Sequence, residues 1–211
     1  METIGDFNFT LVNPENVKSR REFNRYIVDY PSVMSANYLK EKLIIETAIY
    51  QRTYPTKRMM ASSFIYRYLH ENGFDNFVTE NGLEPFELNV QAAERTLIDK
   101  LYALSDYYLG DTITEHSRHI YDIYKLMSII QIDENLKSLA MQVAEERKPN
   151  ARCYSVQEGV NIKKVLTEIL EKEIYRQDYE AITKQLLFEN VSYETAISGL
   201  KAVVESSLFD F

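Results

Sequence analysis

Three charged residues stand among apolar neighbours, and their types decide what chemistry this chain could do. Glu46 interrupts the apolar run Leu43-Ile44-Ile45, which resumes at Ala48-Ile49. A carboxylate there is costly to bury unless it is paired or bound to a metal. Strand alternation beside Thr47 equally puts it on a solvated face. Lys100 lies three residues after Leu97 and four before Leu104, at the border of a helix's apolar stripe. From that border an ammonium can extend to solvent or meet a phosphate. Asp122 lies in SRHIYDIYKL (117–126), on a helix apolar almost all round. Arg118, one turn earlier, can pair with it along one face, or Arg118, Asp122 and Lys125 can form the helix's solvated strip.

Composition narrows the classes. A net charge of −8 over 211 residues excludes a broad basic face for nucleic acid, though not a local basic cleft. The single Cys153 rules out an internal disulfide framework, and with only three His a zinc site is not expected. The sequence contains no Walker A, GxGxxG, CxxC, HExxH or GxSxG pattern. No apolar run reaches the roughly 18 residues that cross a bilayer. METIGDFNFT is not a signal peptide, so a soluble cytoplasmic protein is expected.

The elements that must position these residues fall into two groups. FNFTLV (7–12), NRYIVDY (24–30), KLIIETAIY (42–50) and PFELNVQ (85–91) read as strands, rich in aromatic and β-branched residues. A helix near 57–70 is expected between them, with Met60, Phe64 and Leu69 inward and Asn72-Gly73 ending it. From residue 92 the periodicity is helical: Leu97, Leu101, Leu104 and Tyr108 up to Gly110, then Ile120, Ile123, Tyr124, Met127 and Ile130. Further helices are expected over 133–147, 160–175, 176–188 and 192–206, with Ser192 as an N-cap and KPNARCYSVQEG as the best linker. The expected class is α+β, a small sheet domain (1–91) followed by a helical bundle (92–211).

The stretch ERTLIDKLYALSDYYLGDTITEHSRHIYDIYKL resembles a run in AbiEii/AbiGii-type nucleotidyltransferase toxins, where an E-R-T-x-x-x-K helix precedes an S-R-H-x-Y-D-x-Y-x-L helix. The matching residues are Glu94, Arg95, Thr96 and Lys100, then Ser117, Arg118, His119, Tyr121, Asp122, Tyr124 and Leu126. KLIIETAIYQRTYPTKRMMASSFI resembles the family's acidic strand, its Pro and the segment leading into a helix, and Asp178-Tyr179 resembles a recurrent D-Y of its helical tail. The resemblance covers roughly residues 40–205 and implies a small mixed sheet of nucleotidyltransferase-like fold with an attached bundle. It implies transfer of a nucleotide from a nucleoside triphosphate with Mg²⁺, in a toxin of a phage-defence toxin–antitoxin pair. On this match Glu46 is the third metal-site carboxylate, Lys100 and Arg118 are the cofactor-binding residues with Lys100 on phosphate, and Asp122 is the base acting on an acceptor hydroxyl. A cognate antitoxin and an RNA or protein acceptor are the implied partners.

One departure is large. The family's first motif, a Gly-Gly or Gly-Ser turn followed by D-x-D, supplies two metal carboxylates. This sequence has no GG or GS, and none of its ten Asp stands two positions from another. The resemblance is therefore to the family's C-terminal portion. A truncated member, half of a split protein and a member without catalysis are the open expectations, with a non-catalytic helical interaction protein as the alternative function. Strands 7–50 are expected to expose an apolar edge that dimerises or binds a partner, unless FNFTLV and NRYIVDY pair as a hairpin over the gap.

Overall fold

A computed structural model describes residues 2–4, 7–11, 23–29, 42–48 and 54–211. The chain divides into two compact units, residues 1–52 and 53–211, each described by itself. The division does not fall at the expected 91/92 junction.

In the first unit β1 (Glu2–Ile4), β2 (Phe7–Leu11), β3 (Phe23–Asp29) and β4 (Lys42–Ala48) form a sheet in that order. Every pairing among the described residues is antiparallel, so none of them supplies the parallel pair of a mixed sheet. β2 and β3 pair as the hairpin alternative required, Asn8 opposite Asp29 and Leu11 opposite Tyr26. β3 and β4 pair over their whole length, which sets Val28 opposite Leu43 and Arg25 opposite Glu46. Val28 is buried, while Leu43, Ile44 and Ile45 of the edge strand β4 are exposed.

In the second unit β5 (Thr56–Ala61) and β6 (Phe86–Gln91) form a two-stranded antiparallel ribbon, with α1 (Phe64–Glu71) and α2 (Asp75–Glu80) between them. The helix expected from residue 57 thus begins at 64, where Ser63 accepts the Tyr66 N–H at 3.0 Å. Residues 56–61 are a strand because a partner lies at 86–91, with Met59 opposite Leu88 and Ala61 opposite Phe86. Met60 falls on the other face, beside the Arg58–Glu87 ion pair, and is 63% exposed rather than inward. Phe64 is also exposed and Leu69 half-buried. Asn72 and Gly73 end α1 as expected, Gly73 taking φ 77°.

β6 runs into α3 (Ala93–Leu109), which Gly110 stops. α4 (Arg118–Met127), α5 (Glu134–Arg147), α6 (Ile162–Glu171), α7 (Arg176–Ala181) and α8 (Tyr193–Glu205) complete the bundle, with a 3-10 turn at Thr183–Leu186 in the segment expected as the end of one long helix. Leu97, Leu101, Leu104, Ile120 and Ile123 have no exposed surface, and Ser192 caps α8 as expected. The segment 148–159 is no free linker. Its turn Tyr154–Val156 packs on α3, where the buried Ser155 donates its N–H to Asp106 at 2.7 Å.

The abundant tyrosines now have a physical role. Tyr102, Tyr175 and Tyr179 bury their rings in the core and donate their hydroxyls to the Ala140, Leu104 and Val191 carbonyls at 3.0, 2.8 and 3.1 Å. Each fills core volume and satisfies a backbone acceptor of another segment.

Candidate functional site

The helix stripes put two charged side chains face to face. On α3, Leu97, Ile98, Leu101 and Leu104 turn into the core, which leaves Lys100 at its edge toward α4. On α4, Ile120 and Ile123 do the same for Asp122. Lys100 Nζ lies 2.6 Å from Asp122 Oδ2, both side chains being partly buried. His119, one turn before Asp122, brings its Nδ1 to 3.5 Å from the same Nζ and 3.8 Å from Oδ2. Burial works against the charged form of Asp122, but the contacts of His119 and Lys100 outweigh it and hold its carboxyl below the usual value.

Arg118 makes no ion pair with Asp122 among the described residues and is exposed. The solvated strip also fails, because Asp122 turns to α3 and Lys125 pairs with Glu189 at 3.4 Å. The reason is rotational: Asp122 follows the α3–α4 seam, and Arg118 lies off it.

Three near-parallel rings continue the seam. Tyr107 of α3 stacks on His116 with centroids 3.5 Å apart and on His119 at 5.8 Å. Burial, then the neighbouring His119 and Arg118, push the His116 imidazole below its usual value, and its buried Nδ1 has no hydrogen-bond partner among the described residues. The loop into α4 bends through Glu115 at φ 66°. Asp178 of α7 grips it, accepting the Glu115 and Ser117 N–H groups at 2.9 and 3.0 Å. Burial raises the cost of that charge, and these bonds outweigh it, so Asp178 sits below its usual value. A carboxyl depressed in the fold contributes stability above its unfolded value and loses it as pH falls through its folded value. Asp178→Asn should therefore lose about 1–3 kcal/mol at neutral pH and show a shallower acid limb in urea melts taken between pH 7 and 3. An unchanged acid limb would refute this role.

The rest of the E-R-T-x-x-x-K run is structural. Glu94 holds Lys57 of β5 at 2.9 Å, Arg95 is buried in an ion network, and the Thr96 hydroxyl donates to the Ala92 carbonyl. Two cavities open in this unit, of about 930 Å³ beside Lys57 and Glu94 and about 620 Å³ beside Tyr102 and Phe209. Neither is lined by Lys100 or Asp122.

Glu46 belongs to the other unit. Its Oε1 accepts from Arg25, opposite it in the ladder, with Nε at 2.7 Å and the terminal nitrogen at 2.6 Å. Both side chains are about half exposed. The carboxylate is already answered by a cation. No group of three or more His, Cys, Asp or Glu among the described residues could hold a metal ion.

Fold and site define an α+β protein whose helical bundle carries a partly buried lysine–aspartate pair between two adjacent helices. Residues 2–199 match the family model described as nucleotidyl transferase AbiEii toxin of type IV TA systems, and the chain belongs to that family. The match reaches past the 40–205 stretch of the resemblance to take in β1–β3. No curated protein and no solved structure matches the chain. No helix among the described residues is long and apolar enough to cross a membrane.

Sequence reasoning missed His119 and Tyr107 as members of the site. The signal was present: His119 precedes Asp122 by three residues and Tyr107 follows Lys100 by seven, so each shares a helix face with its neighbour.

Proposed function

We propose that the chain is the nucleotide-handling part of a nucleotidyltransferase-type toxin paired with a cognate antitoxin in phage defence, acting in the cytoplasm. Lys100 contacts a phosphate of a nucleoside triphosphate, with Arg118 at the rim. Asp122 takes the proton of an acceptor hydroxyl on RNA or protein as that oxygen attacks phosphorus and pyrophosphate leaves. The observation that carries this reading is the 2.6 Å Lys100–Asp122 contact, which joins the two motif helices at a partly exposed point. His119 and Lys100 keep Asp122 ionised, as a base must be. Without D-x-D to ligand the metal, this chain alone binds nucleotide but transfers none.

Titration of the full chain with fluorescent ATP and GTP tests this. Lys100→Ala should weaken binding by about tenfold or more, the loss of one charge-assisted bond. Asp122→Asn should tighten it, since a carboxylate no longer competes for the ammonium. Equal affinity in wild type and Lys100→Ala would sink the reading. Incubation with labelled nucleotides, Mg²⁺ and total tRNA should give no labelling. Labelling that vanishes in Asp122→Ala would show that the chain is active by itself.

A second reading, an interaction protein derived from the family, is favoured by the β5–β6 ribbon, where Met59, Phe86 and Leu88 form an exposed apolar face. It requires no nucleotide affinity in any variant.

A further inference from the structure

An ammonium group has three N–H bonds and rotates freely unless its partners fix it. Lys100 has two partners on α4: Asp122 Oδ2 at 2.6 Å and His119 Nδ1 at 3.5 Å. At 3.5 Å from Nζ and 3.8 Å from Oδ2, the His119 Nδ1 borders both groups and lies nearer the ammonium. We propose that His119 is a positioning residue that holds the Lys100 ammonium together with Asp122, both from the α4 side, so that its remaining N–H bond points away from α4 to the ligand. This rests on the reading of Lys100 as a phosphate contact.

The imidazole is itself held. Its ring lies 3° from the plane of Tyr107 and 5° from that of His116, and only 11% of its side chain is exposed. Tyr107 stands two helical turns from Lys100 on the same face of α3, so the stack registers His119 against Lys100. To accept from Lys100, His119 carries its proton on Nε2. The groups facing it are Lys100 and Tyr107 from α3, His116 from the preceding loop, and Arg118 and Asp122 from its own helix; Asp178 of α7 acts through the loop it grips. The contacts of His119 and of the ammonium together hold the Asp122 carboxyl below its usual value.

Nuclear magnetic resonance on the full chain tests this without any reaction. In the wild type, the Asp122 side-chain carbon should titrate below the ordinary aspartate value. In His119→Ala both the imidazole's own contact and the second partner of the ammonium are lost, and the Asp122 midpoint should rise by about half a unit or more. His119→Asn places an amide oxygen close to the position of Nδ1 and should restore most of the shift. An unchanged midpoint in His119→Ala, or an equal rise in both variants, overturns the proposal. The wild type gives a check that needs no variant: the Lys100 ¹⁵Nζ resonance should be resolved from those of the exposed lysines and exchange slowly with water. An ammonium resonance merged with the rest overturns it too. ATP is then added to the wild type and to His119→Asn and His119→Ala. Binding should weaken about threefold or more in His119→Ala alone. If ATP leaves the wild-type Lys100 signal unmoved while the Asp122 midpoint behaves as stated, the nucleotide reading fails and the positioning stands.

Discussion

Arg95→Ala should destabilise the chain by about 3–5 kcal/mol, the cost of leaving buried partners without their cation. The Arg95 side chain is 5% exposed. Its Nε donates to Asp99 at 3.0 Å, and one terminal nitrogen donates to Glu146 at 2.9 Å and to the Tyr54 carbonyl at 3.0 Å. One guanidinium thus ties α3 to α5 and to the chain entering β5. Arg147 extends the network, 2.7 Å from Asp106 and 3.7 Å from Asp99. Without Arg95, Glu146 loses the guanidinium 2.9 Å away in a site where it is 14% exposed. Arg95→Lys should recover only part of the loss, since a point charge cannot reach three acceptors in a fork. Arg95→Met combined with Glu146→Gln should cost less than the sum of the two single changes, because the two groups face each other. Urea denaturation of the five variants checks the order. A loss under about 1 kcal/mol in Arg95→Ala would mean that the network carries little of the fold. This gives the Arg of the E-R-T run a packing reason and leaves Lys100 as the member of that run directed at α4.

How much of the fold was readable in the sequence depends on the range of the forces involved. The stripes of α3 and α4 are local: Leu97, Leu101, Ile120 and Ile123 recur at helical spacing and all are buried. Ser192 is a local cap signal and caps. Strand β5 reads as helix in isolation because Met59-Met60-Ala61 suits a helix, and only a partner some thirty residues on makes it a strand. Glu46 shows the same limit, since its cation Arg25 is fixed by the β3–β4 register. Local spacing gives Asp122 to Arg118, yet its ion pair is with Lys100 on the neighbouring helix. That contact across 22 residues is indicated by the family resemblance and not by periodicity. Arg95 sits at a helix start, where nothing in its spacing marks a buried arginine; burial there comes from Glu146 and Tyr54.

Gly199→Val should be comparably damaging, and it acts on the same helix as Asp122. A Cβ at Gly199 of α8 would lie 2.6 Å from the Tyr124 Cα and 2.9 Å from its backbone nitrogen. Those atoms belong to the α4 backbone, which no rotamer change can move aside. Helix propensity argues the other way, since Ala is favoured over Gly by about 1 kcal/mol in a helix interior. Overpacking against backbone costs about 1–3 kcal/mol or more, so Gly199→Ala should be destabilised on balance and Gly199→Val by several kcal/mol. For a chain of this size each kcal/mol lowers Tm by about 2–4 °C. Lys201→Ala, on an exposed position of α8, is the control and should stay within about 0.5 kcal/mol of wild type. Pushing α4 from α8 also moves Asp122 against Lys100. In any Gly199→Ala protein that folds, the Asp122 carboxyl should therefore titrate closer to the ordinary aspartate value. Thermal melts and the Asp122 titration separate the two possibilities. A Gly199→Ala chain with raised Tm and an unmoved Asp122 would show that propensity outweighs the contact, and that α8 does not set the position of the site.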